Sequence, residues 1–166
     1  MKDNSGVEKN MFKKHFYKKV WASIGFVVNL SQMIEYNLAN ILGLNEILSA
    51  FDKQATMEPI EYKKVVEAAE KWYKWLSKKE LGKLKQQLIE KNIFSKEFVN
   101  EIDHVREERN YFVHEIFKDD LFSREFQNNP KQYIPRLQEL VYRLNDLNES
   151  LCKIFDRMKK EVKMIY

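Results

Sequence analysis

The sequence predicts an all-α fold, an up-down helical bundle of about five helices with a long first and a long last helix. Three observations point there. Apolar residues recur at steps of three and four in at least four segments, the spacing of one helix face. The 166 residues include only 4 Gly and 3 Pro, too few turn formers to separate a set of strands. No stretch carries a strand pattern, an internal repeat or a low-complexity block. The length suits one domain with an ordinary core. We expect residues 1–8, which are polar and contain Gly6, to form a flexible tail, and residues 9–166 to form the single domain.

The first helix should run from about Lys9 to Leu42. Phe12, Phe16, Val20, Val27, Leu30, Ile34, Leu38 and Ile41 supply its inner face, Gly43 reads as its stop, and a short continuation reaches Phe51. Asp52 to Pro59 reads as a connector. A second helix is expected from Ile60 to Ser77, with Val65, Ala69, Trp72 and Leu76 inward, and a third from Lys79 to Lys91. Ser95 is placed to cap a fourth helix running to Phe117, with Glu97 in its first turn. Asp119 to Pro130 breaks the pattern, with a short turn of helix at 121–126. The last helix spans Tyr133 to Met164; Pro135 is tolerable only in its first turn. Its residues Leu137, Leu140, Leu144, Leu147, Leu151, Ile154 and Met158 form a bundle seam.

Composition narrows the function. The net charge of +4 permits contact with nucleic acid without requiring it. The single cysteine, Cys152, cannot close an internal disulfide, which fits a reducing compartment, and reads as a small buried residue. The longest apolar run, Val20 to Leu30, is interrupted by Ser23, Gly25 and Asn29 and is too short to span a bilayer, so no membrane partner and a cytoplasmic location are expected. His15, His104 and His114 have no second His or Cys at ligand spacing. Neither a metal nor a cofactor is therefore expected, and no Gly-rich phosphate loop or nucleophile elbow is present. Lys71-Trp72-Tyr73-Lys74-Trp75, followed by Lys78-Lys79, mixes cations with rings as an RNA-contacting face would. The favoured reading is an amphipathic helix with Trp72 inside and the lysines in water.

The sharpest feature is Arg109-Asn110-Tyr111-Phe112-Val113-His114. On an α-helical wheel Arg109 falls near the centre of the apolar stripe made by Phe98, Val99, Ile102, Val105, Phe112, Val113 and Ile116. A guanidinium there, always charged and costly to desolvate, needs a pocket, an ion pair or an interface. His114 falls on the polar face with Asp103, Glu107 and Asn110, rotated by roughly 140° and raised by about 7.5 Å from Arg109. The two would meet through the length of the Arg side chain or through a second copy of the helix, which favours a two-fold homodimer.

Arg109, the polar Asn110 after it and His114, late in a small helical domain and ahead of a long final helix, resemble the hallmark motif of the HEPN superfamily. The order of elements is also similar: a long first helix, a charged middle hairpin with Leu81-Gly82-Lys83-Leu84, then the motif helix. The resemblance implies a metal-independent endoribonuclease that acts on RNA in toxin–antitoxin or antiphage defence; whether a protein antitoxin or regulator is a partner stays open. RNA brings its own nucleophile, the 2′-OH, so the enzyme needs only a proton carrier and a cation. The resemblance assigns the first role to His114, the second to Arg109, and orientation to Asn110. Some toxin members carry a modifiable Tyr two residues after the His; here that residue is Ile116, so that route of control is not carried over. Three other readings stay open: a degenerate HEPN domain that binds RNA or nucleotides without cutting, a regulator resembling the mannitol operon repressor, and a helical scaffold with a structural Arg109.

Overall fold

The computed structural model describes the backbone of residues 5–52, 59–116 and 130–164, and side chains over 17–52, 61–116 and 131–163. All the regular structure among these residues is helical. Helix α1 spans Ser5–Asp52, α2 Pro59–Leu76, α3 Leu81–Lys91 and α4 Lys96–Asn110. A π-helical turn, Tyr111–Glu115, continues α4, and a 3-10 turn, Pro130–Gln132, leads into α5, Tyr133–Met164. The long helices α1 and α5 pack together as the central pair, with α2, α3 and α4 against them.

Most of the expected core is buried: Val20, Val27, Ile34, Leu38 and Ile41 on α1, Ala69 and Leu76 on α2, Ile102, Val105, Phe112 and Ile116 on the motif segment, and Leu137, Leu140, Leu144, Leu147, Leu151 and Met158 on α5. Leu30, Val65, Trp72 and Ile154 are half-buried. The side chains of Phe12, His15 and Phe16, and the turn expected at 121–126, lie outside the described residues.

Gly43 is not a stop. Helix α1 continues through it to Asp52, and a Cβ at Gly43 would lie 3.6 Å from the Tyr73 Cβ of α2. The helix-propensity penalty of one glycine, about 1 kcal/mol, is smaller than the gain from burying the flanking Leu42 and packing α2 closely. Helix α3 starts at Leu81 rather than Lys79, because residues 77–80 are taken up by a tight turn in which the Lys79 N–H donates to the Leu76 carbonyl at 2.8 Å. Its end is set by Asn92 in the left-handed region, φ 51°, a conformation Asn tolerates. Ser95 caps α4 as expected, its hydroxyl accepting from the Phe98 N–H at 3.3 Å.

Candidate active site

Two clamps fix the segment that carries the motif. Glu108 accepts two hydrogen bonds from Arg136 of α5, both 2.7 Å, and the guanidinium lies 4.2 Å from the Tyr111 ring centroid. The Arg136 hydrogen bond holds the Glu108 carboxyl below its usual range despite partial burial. On the α3 side, Asp103 receives Lys85 at 2.7 Å and Arg106 at 2.8 Å, and the Lys85 hydrogen bond is the main cause of its lowered pKa. Asp103 is therefore occupied in joining α3 to α4.

Between the clamps the helix changes pitch. The Ile116 N–H donates to the Tyr111 carbonyl, five residues back, which is the bond of a π turn. A π turn absorbs one extra residue, so side chains five apart come to lie one above the other, as those four apart do in an α-helix. Arg109 and His114 are five apart. Arg109 Nη1 stands 3.5 Å from His114 Nε2 and donates to the Asn110 side-chain oxygen at 2.9 Å. The offset of roughly 140° expected for an unbroken α-helix is thus corrected: one chain gathers all three motif residues, and the geometric reason for a second copy falls away. His114 is exposed, whereas Arg109 is half-buried.

Arg109 sits where the apolar pattern placed it, with Phe112 and Ile116 fully buried beside it. Its Nε is buried without a hydrogen-bond partner, and among the described residues no carboxylate comes within ion-pair distance of it. A carboxylate does act on it from farther away. Glu35 of α1 feels the Arg109 charge, and its Oε1 accepts the Leu81 N–H at 3.1 Å. It thereby caps the start of α3, where Glu80 provides no side-chain cap. Burial pushes the Glu35 carboxyl above its usual range, outweighing the Leu81 hydrogen bond and the attraction of Arg109. Motif spacing does not point to Glu35, although a signal was present: it is the one charged residue between Lys19 and Glu46.

The other candidates lie elsewhere. His104 is exposed on α4. Cys152 is half-buried and takes a 3.4 Å contact from the Asn37 amide, which also donates to Asn148 at 2.9 Å. Grooves of about 270 and 330 Å³ lie along α1 and α2 and include none of the motif residues. No group of His, Cys, Asp and Glu among the described residues is arranged to hold a metal, and no described helix is long and apolar enough to cross a membrane. No family model, curated protein or solved structure matches the chain.

Proposed function

We propose that this protein is a metal-independent endoribonuclease whose active site is Arg109, Asn110 and His114. One observation carries the reading: the π turn sets an exposed imidazole 3.5 Å from a guanidinium that forms no contact ion pair with a described carboxylate. An Arg serving only as half of a buried ion pair would have its carboxylate in contact. A phosphate at this place would meet a planar donor fork and a proton carrier together.

The chemistry uses only these groups and water. The His114 imidazole takes the proton of the RNA 2′-OH as the O2′–P bond forms. The Arg109 guanidinium stabilises the charge that builds on the phosphorane oxygens, and Asn110 holds the guanidinium in place through its 2.9 Å hydrogen bond. The P–O5′ bond breaks, the departing oxygen is protonated from water, and the ends are a 2′,3′-cyclic phosphate and a 5′-OH.

A two-fold homodimer belongs to the same reading. Apart from Glu35, the stretch from Val20 to Asn45 is uncharged. Phe26, Met33 and Tyr36 are 62%, 43% and 56% exposed along one side of it. An uncharged stripe is complementary to its own copy across a two-fold axis. A role in toxin–antitoxin or antiphage defence follows from the resemblance and is proposed with it; a cytoplasmic location is proposed on the sequence's lack of a membrane-spanning run.

Purified protein incubated with total RNA in EDTA should generate fragments with cyclic-phosphate ends, and His114→Ala should not. A requirement for Mg²⁺, or undiminished cutting by His114→Ala, would remove the mechanism and leave the binding-module reading in its place.

A further inference from the structure

The turn between α2 and α3 has a composition that helix packing does not explain. From Lys71 to Lys85 the chain carries six lysines and one acid, Glu80. Lys85 is paired with Asp103, but Lys71, Lys74, Lys78, Lys79 and Lys83 form no ion pair with the described residues. Trp72 and Tyr73 are half-buried against the core, as an amphipathic helix requires. Trp75 is not: it is 48% exposed, and the Lys79 ammonium rests 4.2 Å from its ring centroid. A solvated face accounts for the lysines in water. It does not account for an indole held out among them, since an exposed Trp gains nothing from burial.

The position of the turn matters as much as its content. Lys79 lies two residues before Leu81, whose N–H is bound by Glu35, and Glu35 in turn faces Arg109. Two trans peptide units span at most about 7.6 Å between Cα atoms. The cations of the turn therefore begin close to the α3 start that Glu35 caps, and Glu35 feels the Arg109 charge.

We propose that this turn is a single-stranded RNA subsite, with the open face of Trp75 as a stacking platform for a base and Lys78 and Lys79 as partners for the phosphates beside it. The proposal rests on the reading of Arg109 and His114 as an RNA site and specifies the substrate: an unpaired strand rather than a duplex. Stacking needs a base already out of its helix, and a π surface flanked by ammonium groups recognises an unpaired base and its phosphates without reading sequence. The cation–π contact orients the indole before a base arrives.

The test measures binding apart from cleavage. His114→Ala protein is titrated into a fluorescein-labelled single-stranded RNA of about 12 nucleotides and followed by anisotropy at several salt concentrations. Adding Trp75→Ala should weaken binding roughly tenfold, whereas Trp75→Phe should retain most of it, because a benzene ring still stacks. Replacing Lys78 and Lys79 together by Ala should flatten the plot of log affinity against log salt by about 1.4 units, roughly 0.7 for each phosphate no longer neutralised. Far-UV circular dichroism and melting temperature establish that the variants are folded. Folded Trp75→Ala protein that binds like its parent, or a parent that prefers duplex to single strand, would overturn the subsite. If the salt and stacking effects appear but wild-type protein never cuts RNA, the nuclease assignment fails and the subsite stands. If wild type cuts and neither variant alters binding, the subsite alone fails.

Discussion

Arg109→Lys keeps a cation in the half-buried slot and removes the planar fork that fits a phosphate. We expect it to retain the fold and lose RNA cleavage by about 100-fold or more, read from single-turnover assays; a generic ion pair would tolerate the exchange. Arg109→Ala is a poorer probe, because it leaves a void beside Phe112 and Ile116 and should cost roughly 1–3 kcal/mol. Glu35→Gln tests the carboxylate that acts on Arg109 from a distance. The folded protein raises the Glu35 pKa, so protonated Glu35 favours folding below its unfolded value, and that contribution is lost as pH rises through the higher folded value. At neutral pH the ionised carboxylate is therefore a cost. Gln preserves the acceptor for the Leu81 N–H without that cost. Urea midpoints at pH 7 should match or exceed wild type, and cleavage should hold or rise, because Arg109 loses a negative charge that offsets its attraction for the phosphate. A variant that loses stability at pH 7 would contradict this account.

The elements show what could and could not be read from the chain. The starts of α2, α4 and α5 were legible because Pro59, Ser95 and Tyr133 stand where the apolar phase begins. Gly43 misled because a glycine tolerated for close packing looks the same as one that ends a helix. The motif residues were legible as a string, but their mutual geometry was not. A wheel assumes 100° per residue, and nothing in Tyr111-Phe112-Val113 announces a π turn. Tertiary clamps hold that turn, and the Glu108–Arg136 pair is one that can be titrated. The folded Glu108 pKa is lowered, so the stability it provides is present above the unfolded carboxylate value and disappears as pH falls through the folded one. With Arg136 about half exposed, at 46%, the pair should supply only about 0.5–1 kcal/mol. Glu108→Gln should accordingly lower stability at pH 7 by that amount and match wild type at acid pH, as seen in thermal melts over a pH series.

At the scale of the whole molecule, the apolar α1–α5 interface is crossed by a buried polar pair. Asn37 and Asn148 are 5% and 6% exposed and share a 2.9 Å hydrogen bond. Such a pair matches only when the two helices stand in one register. Asn37→Ala should cost about 1–3 kcal/mol in chemical denaturation, because Asn148 is then buried without its partner. Replacing both by Leu should recover most of that loss, and failure to recover would mean that the pair does more than satisfy itself. The outward stripe on α1 makes a separate prediction about assembly. Phe26→Glu should leave the helical content unchanged and convert the proposed dimer to monomer in sedimentation equilibrium. A wild-type protein that is already monomeric at micromolar concentration would remove the dimer.

The π turn also changes what counts as a conservative edit. It behaves like a vernier between two helical scales: the residues before Arg109 and those after His114 each keep their own phase, and one surplus residue is stored between them. Deleting Val113 would discharge that surplus. The segment could then close as an ordinary α-helix with the Arg and His four apart, still stacked on one side, and cleavage should stay within about tenfold of wild type. Inserting a single alanine between Phe112 and Val113 adds a second surplus residue for which the turn has no place, and should abolish activity by swinging the imidazole away from the guanidinium. Losing a residue would then be better tolerated than gaining one, an asymmetry set by chain arithmetic and not by the chemistry of any side chain.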